Sequence, residues 1–221
     1  MPRAAPGVDW DAVADIALPT LQPGDERDVR DGAGDTLDLD GLDLTGVHAD
    51  DAVFVDCRLC SCVLDDVRLR SARLTGCVLQ DVRATALDVV RSTWTRVVVT
   101  SSRVGALVAH GSALSRVTLR ASRLDYVNLR GARLAQVQLV GCHVGDLDVG
   151  QAQLAQVRFV DCTVDRLVLT GAVLDDVDLR GARLSAVDGV GSLRGAVVSQ
   201  PQLLELAPAL AAELGIVVVE G

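Results

Sequence analysis

The chain has 221 residues, of which 49% are apolar but only 2% aromatic, and a formal net charge of −9. So few rings cannot fill a wide globular core, which leans on large aromatic side chains; a core of Val, Leu, Ala and Cys points to something thin and regular. No stretch approaches the roughly 20 apolar residues of a membrane span or the apolar centre of a signal peptide, so a soluble, cytoplasmic chain with six reduced thiols is expected.

Residues 1–36 carry no fixed period and read as an N-terminal cap or irregular segment. Within them, VDWDAVADIA at 8–17 fits a short helix with Trp10, Val13 and Ile16 on one face. LQPGDERDVRDGAGD then reads as a polar loop.

From residue 37 to 188 the chain repeats every five residues. Thirty positions five apart, from Leu39 to Leu184, hold only Leu, Val, Ala, Phe or Trp. The thirty positions two residues earlier, Leu37 to Ala182, hold only Leu, Val, Ala, Cys and Ser. The chain is 23% charged, so chance would put about 14 charges in these 60 positions; there are none. A strand slips to its other face after five residues, and a helix would spread this period around its surface. A coil that turns a corner every five residues keeps the same two side chains inward. Four such sides close a coil of 20 residues, and coils stack at the strand spacing of roughly 4.8 Å. From Leu87 the earlier column also alternates large (Leu87, Val97, Leu107) with small (Ser92, Ser102, Ser112), which fills a narrow interior without voids.

The stretches ARLTG at 72–76, ARLAQ at 132–136, VNLRG at 127–131, VDLRG at 177–181 and LDLTG at 42–46 carry a resemblance to the pentapeptide-repeat family. The resemblance implies an all-β solenoid, a right-handed quadrilateral β-helix, with no catalytic centre and no cofactor. The ending of this chain is similar to that of the quinolone-resistance members. That similarity implies a protein partner, DNA gyrase or topoisomerase IV, engaged by a rod that partly mimics DNA.

Residues 189–221 read as a C-terminal α-helical cap with a possible dimerisation role. Ser199 is placed to be the N-cap and Gly215 the C′ residue. Leu203, Leu206, Leu210 and Leu214 fall on one helical stripe, with Ile216 following. Pro208 is expected to kink or divide the helix, and GIVVV to form a short strand. By the same resemblance, this ending would pair two subunits into a homodimer; a private cap on one chain is the alternative.

No catalytic constellation appears. His48, His110 and His143 all fall on outward columns, and CRLCSC at 57–62 puts Cys57 and Cys62 inward but Cys60 outward, so the thiols do not converge on a metal. Charge is uneven instead. Residues 1–50 hold 12 acids and 3 Arg, residues 51–200 hold 15 acids and 18 Arg. Two kinds of surface candidate follow. By the resemblance, acidic faces at Asp38, Asp40, Asp43, Asp50, Asp51, Asp65 and Asp66 would engage gyrase or topoisomerase IV. The other is a ladder of Arg83, Arg103 and Arg123, suited to an acidic partner or a nucleic acid; the lack of an aromatic stacking platform argues against the latter.

Overall fold

The computed structural model describes residues 8–219. Helix α1 (Trp10–Ala14) is N-capped by the Asp9 carboxylate, which accepts from the amides of Asp11 and Ala12. Gln22–Pro23 then pairs in parallel with Leu37–Asp40. The stretch expected to be a polar loop instead holds a second helix, α2 (Glu26–Arg30), and the strand Ala33–Asp35. Asp25 and Asp28 form a capping box that starts α2, and a single apolar residue, Val29, fixes it by entering the core. One anchor in a polar run leaves no periodicity to read.

From Ala33 to Val197 the chain winds about eight coils of a quadrilateral β-solenoid. One coil, residues 93–112, shows the plan. Thr93–Thr100 forms two sides, centred on Trp94 and Val99, and bends between them at Arg96. Arg103–Val108 forms the third side. The fourth, around Ala109, is made of turns, yet Ala109 and Gly111 still donate backbone bonds to the carbonyls of Asn128 and Arg130 on the next coil. Every strand pairing is parallel and most are offset by 20 residues, building one 13-stranded and one 7-stranded sheet. At the ordinary strand spacing the rod is about 38 Å long.

The five-residue register holds throughout. Of the 60 positions in the two inner columns, 56 are buried. The other four, Leu37, Leu42, Leu59 and Leu184, lie towards the two ends and still pack on the core. The small inner residues satisfy their own polar groups. Ser102 and Ser122 donate to the carbonyls of Thr100 and Arg120, and Cys57, Cys142 and Cys162 place their thiols on the carbonyl two residues earlier in the same way. Buried hydroxyls and thiols therefore close corners rather than sit as orphans.

The corners follow a third column that polarity does not reveal. Residues two past each centre position adopt positive φ at most corners, including Asp56, Asp66, Arg96 and Gln136. Most of their amides donate to the adjacent coil, as from Asp56 to the carbonyl of Thr75 at 2.8 Å. These bonds offset part of the left-handed strain, roughly 1–2 kcal/mol per non-Gly residue. On the corner after the third side, Gly46 and Asp66 have positive φ. From Ala86 onward that corner does not, and the large–small alternation begins in the same coil.

At the far end, a 3-10 turn (Val190–Ser192) and the strand Ala196–Val197 finish the last coil. Helix α3 (Gln200–Glu213) opens with a capping box between Ser199 and Gln202, and Gly215 follows it with φ +71°. Gln202 is buried and donates to the carbonyls of Leu179 and Ala182, at 2.7 and 2.8 Å, so it ties the helix to the backbone of the final coil. Pro208 does not divide α3. The carbonyl left without a donor belongs to Leu204, on the exposed side, where solvent can satisfy it. The expected strand at GIVVV is absent: Ile216–Val219 is irregular among the described residues, because a strand needs a neighbouring edge to donate to.

Leu134→Asp should unfold or aggregate the protein, at a cost on the order of 4 kcal/mol or more, because it puts an unpaired carboxylate where Leu134 is 4% exposed. Arg133→Asp, one residue earlier on an outward column, should be tolerated within about 0.5 kcal/mol. Chemical denaturation of the two variants checks the register; equal damage from both would reject it.

Candidate interaction surfaces

The acidic residues do not form one face. Asp38 and Asp40 flank Leu39 on one side, Asp43 lies on the next, and Asp50 and Asp51 lie at a third position around the coil. They girdle the first coils. Two are already neutralised: Arg58 binds Asp38 through two hydrogen bonds of 2.8 and 2.6 Å, and Arg68 reaches Asp50 at 3.0 Å. Asp43 is taken up locally by the amide and hydroxyl of Thr45. Asp65 accepts from the backbone of Thr85 on the next coil, at 2.6 Å. Asp40, Asp51 and Asp66 remain as exposed carboxylates.

The basic residues behave differently. Arg83, Arg103, Arg123 and His143 are direct partners on successive rungs of the third side. Arg123 pairs with Asp125 at 2.9 Å, and His143 lies 3.5 Å from Asp165. Among the described residues, Arg83 and Arg103 have no carboxylate within 4 Å. Two like charges held at the strand spacing of roughly 4.8 Å would repel by about 1 kcal/mol even in bulk water, so stacking them costs stability unless an anion sits on the ladder. A second column is hydrogen-bonded along its length: Arg116 donates to Gln136, and Gln136 to Gln156. Below it, Arg96 reaches Asp56 two coils away, at 3.4 Å. The rung between them is Gly76, with φ +68°, where any side chain would strike the Asp56 carboxylate.

The six Cys are free thiols. Cys57 and Cys77 stack on adjacent coils, as do Cys142 and Cys162. The thiol–thiol hydrogen bond, and burial after it, push Cys77 and Cys142 up, so both stay protonated at neutral pH. Among the described residues, no three His, Cys, Asp or Glu side chains gather where a metal ion could be held. No helix among them is long and apolar enough to cross a membrane.

The C-terminal residues split. Leu206 is buried against the last coil, and Leu210 is half-buried. Leu203, Leu214 and Ile216 are exposed, together with Leu204 and Val217–Val219. The helix stripe therefore covers the rod end with its first turns only, and leaves a run of large apolar side chains open.

A family profile for pentapeptide repeats matches residues 38–82, 112–144 and 151–188, in eight copies. No curated protein matches the sequence. Among solved structures, HetL of Nostoc sp. strain PCC 7120, a pentapeptide-repeat protein involved in heterocyst differentiation regulation, is 20% identical over 76% of this chain and 90% of its own, with a TM-score of 0.34. Full-length QnrB1, a plasmid-mediated fluoroquinolone resistance protein, is 16% identical over 83% of this chain and all of its own, with a TM-score of 0.36.

The ion pairs set an acid limit to stability. The hydrogen bond from Arg58 holds the Asp38 carboxyl below its usual range, and that from Arg180 does the same for Asp178. Burial of Asp88 opposes ionisation, but its bonds from Arg70 and from the Val90 amide outweigh it. A carboxyl whose folded pKa is lowered stabilises the fold fully above its unfolded pKa, about 3.9, and loses that contribution as pH falls through the folded value. Melting temperature should therefore fall from pH 4 downward. Arg58→Gln should lower it at pH 6 and leave a shallower acid decline; a decline as steep as that of the wild type would show that the Asp38–Arg58 pair adds nothing.

Proposed function

The chain belongs to the pentapeptide-repeat family, and from that premise we propose that it is a non-enzymatic, protein-binding rod acting in the cytoplasm. The observation that carries this reading is the stack of about eight coils in constant register. It presents charged columns at fixed spacing along one axis, on a scaffold whose interior is packed with Leu, Val and Ala. Such a surface recognises a partner by rigid electrostatic complementarity, with little ordering cost on binding.

The most specific form of the reading is a partial DNA mimic that engages DNA gyrase or topoisomerase IV. The acidic girdle at Asp40, Asp51 and Asp66 supports it, as does the likeness of the ending to quinolone-resistance members. A second reading is favoured by the ladder of Arg83, Arg103 and Arg123, whose two unpaired guanidiniums suit an acidic protein segment. The two are separated by a gyrase supercoiling assay with and without ciprofloxacin. The first reading expects the purified protein to change supercoiling or to restore it in the presence of the drug. It also expects Asp40→Lys with Asp66→Lys to weaken that effect at least severalfold. No effect of the wild type in either condition would discard gyrase as the partner and leave the Arg ladder.

The exposed Leu203, Leu214 and Ile216 support a two-fold dimer through the C-terminal ends, in which each patch covers its copy on the other subunit. Light scattering should then give about twice the 23.2 kDa of the chain. Leu210→Glu with Leu214→Glu should return it to one chain mass. A wild type that stays at one chain mass across concentration would leave α3 as a private cap.

A further inference from the structure

Two polar residues on an outward column are buried, and the repeat alone does not bury them. Thr118 is 0% exposed and Gln138 1%, and Val98, one rung below, is 7%. What covers them is the chain's own arm, in which helix α1 packs across the strands Ala113–Arg120 and Arg133–Val140. The contacts are those of a peptide on a receptor. The Thr118 hydroxyl donates to the carbonyl of Val13 at 3.2 Å, and the Gln138 amide donates to the carbonyl of Trp10 at 3.0 Å. The guanidinium of Arg158 lies 4.5 Å from the centre of the Trp10 ring and is held there by two bonds to the Gln138 oxygen, 3.0 and 2.8 Å. Among the described residues, no carboxylate lies within 4 Å of Arg158.

The arm is held lightly. Its helix has five residues, far below the length at which a helix stands alone in water, and Val13 is its one buried side chain. An open cleft of about 230 Å3 remains between the arm and the corner formed by Arg116 and Gln136. From Val13, over Thr118, to Pro23, paired with Asp38, the arm runs back along about five coils. That is roughly 24 Å for ten residues, well extended but within the chain's reach of about 3.3 Å per residue. Residues 8–21 contain three Asp and no basic residue, while the face beneath offers Arg116 and Arg158.

We propose that the outward face of Val98, Thr118, Gln138 and Arg158 is a docking site for a short acidic, Trp-bearing segment of a partner protein, and that residues 8–14 are a releasable strap that occupies it. The face reads two backbone carbonyls three residues apart, an aromatic ring over Arg158, and flanking carboxylates. The proposal does not depend on which partner the acidic girdle or the Arg ladder takes.

The test uses a fluorescent synthetic peptide of residues 8–19 and full-length protein, read by anisotropy. Trp10→Ala with Val13→Ser loosens the strap, and this variant should bind the peptide at least tenfold more tightly than the wild type, whose own arm competes. Adding Arg158→Ala and Gln138→Ala, both on the outside of the rod, should abolish that gain while the far-ultraviolet dichroism stays unchanged. Equal binding by wild type and loosened variant, or binding that survives the loss of Arg158 and Gln138, would overturn the proposal. As an independent measure, Trp10→Ala alone should speed amide exchange at Val13 and Asp15; unchanged exchange would show that the strap is not released and would equally overturn it.

Discussion

Each coil rests on its neighbours through in-register parallel backbone bonds, and the rest of the structure depends on that stacking. A single coil buries nothing alone; its two inward columns become a core only when another coil lies above and below. The spacing fixes what can repeat. A charge at an inward position would meet apolar atoms on every side, and none occurs between Leu37 and Leu184. The ends are where the condition fails, and there the chain supplies Val29 at one end and Gln202 with Leu206 at the other.

The same stacking creates a difficulty on the outside. Residues 20 apart are forced into contact, so like charges in one column lie rung on rung. The chain mostly avoids this by pairing off the vertical. Arg68 with Asp50, Arg70 with Asp88 and Arg130 with Asp148 are each 18 residues apart, and Arg166 with Asp188 is 22 apart. These diagonal pairs join adjacent coils at partly exposed sites, where each is worth at most about 1 kcal/mol. Arg83 and Arg103 stand outside this pattern. They repeat the same charge on adjacent rungs with no carboxylate within 4 Å among the described residues, which makes them a candidate interaction surface.

The arm adds a second layer to this surface. By lying along the rod it converts a stretch of outward column into buried polar contact, something the repeat alone never does. Under the strap proposal, a tethered segment on the flank of a regular rod supplies a means of regulation that the repeat itself does not contain. The exposed apolar run at Leu203, Leu214 and Ile216 is a different kind of feature, a surface with no occupant among the described residues.

The inward pattern was legible in the sequence because each inward position is constrained by itself: a residue there must be apolar or small, whatever stacks on it. That single rule located the core columns; the helix after Ser199 was legible from its capping residues and leucine stripe, and the ladder of Arg83, Arg103 and Arg123 from the 20-residue coil length. Other features depend on contacts between distant residues or on conformations that many residue types share, and only the folded chain decided them. Positive φ is taken up by Asp, Arg, Gln, Ser and Gly alike, so no composition marks the corners. The seven acids were legible as exposed candidates, but only the folded chain showed how they spread around the coil and that several are taken up by Arg58, Arg68, Thr45 and Thr85. The polar run at 22–35 hid α2 because its burial rests on Val29 alone. The docking of Trp10 and Val13 on Gln138 and Thr118 spans 128 and 105 residues. One trace of it was present in the sequence, since Val78, Val98, Thr118 and Gln138 form an uncharged interval in an otherwise charged outward column. What lay over that interval could be set only once the coils had stacked and the arm had a flank to lie along.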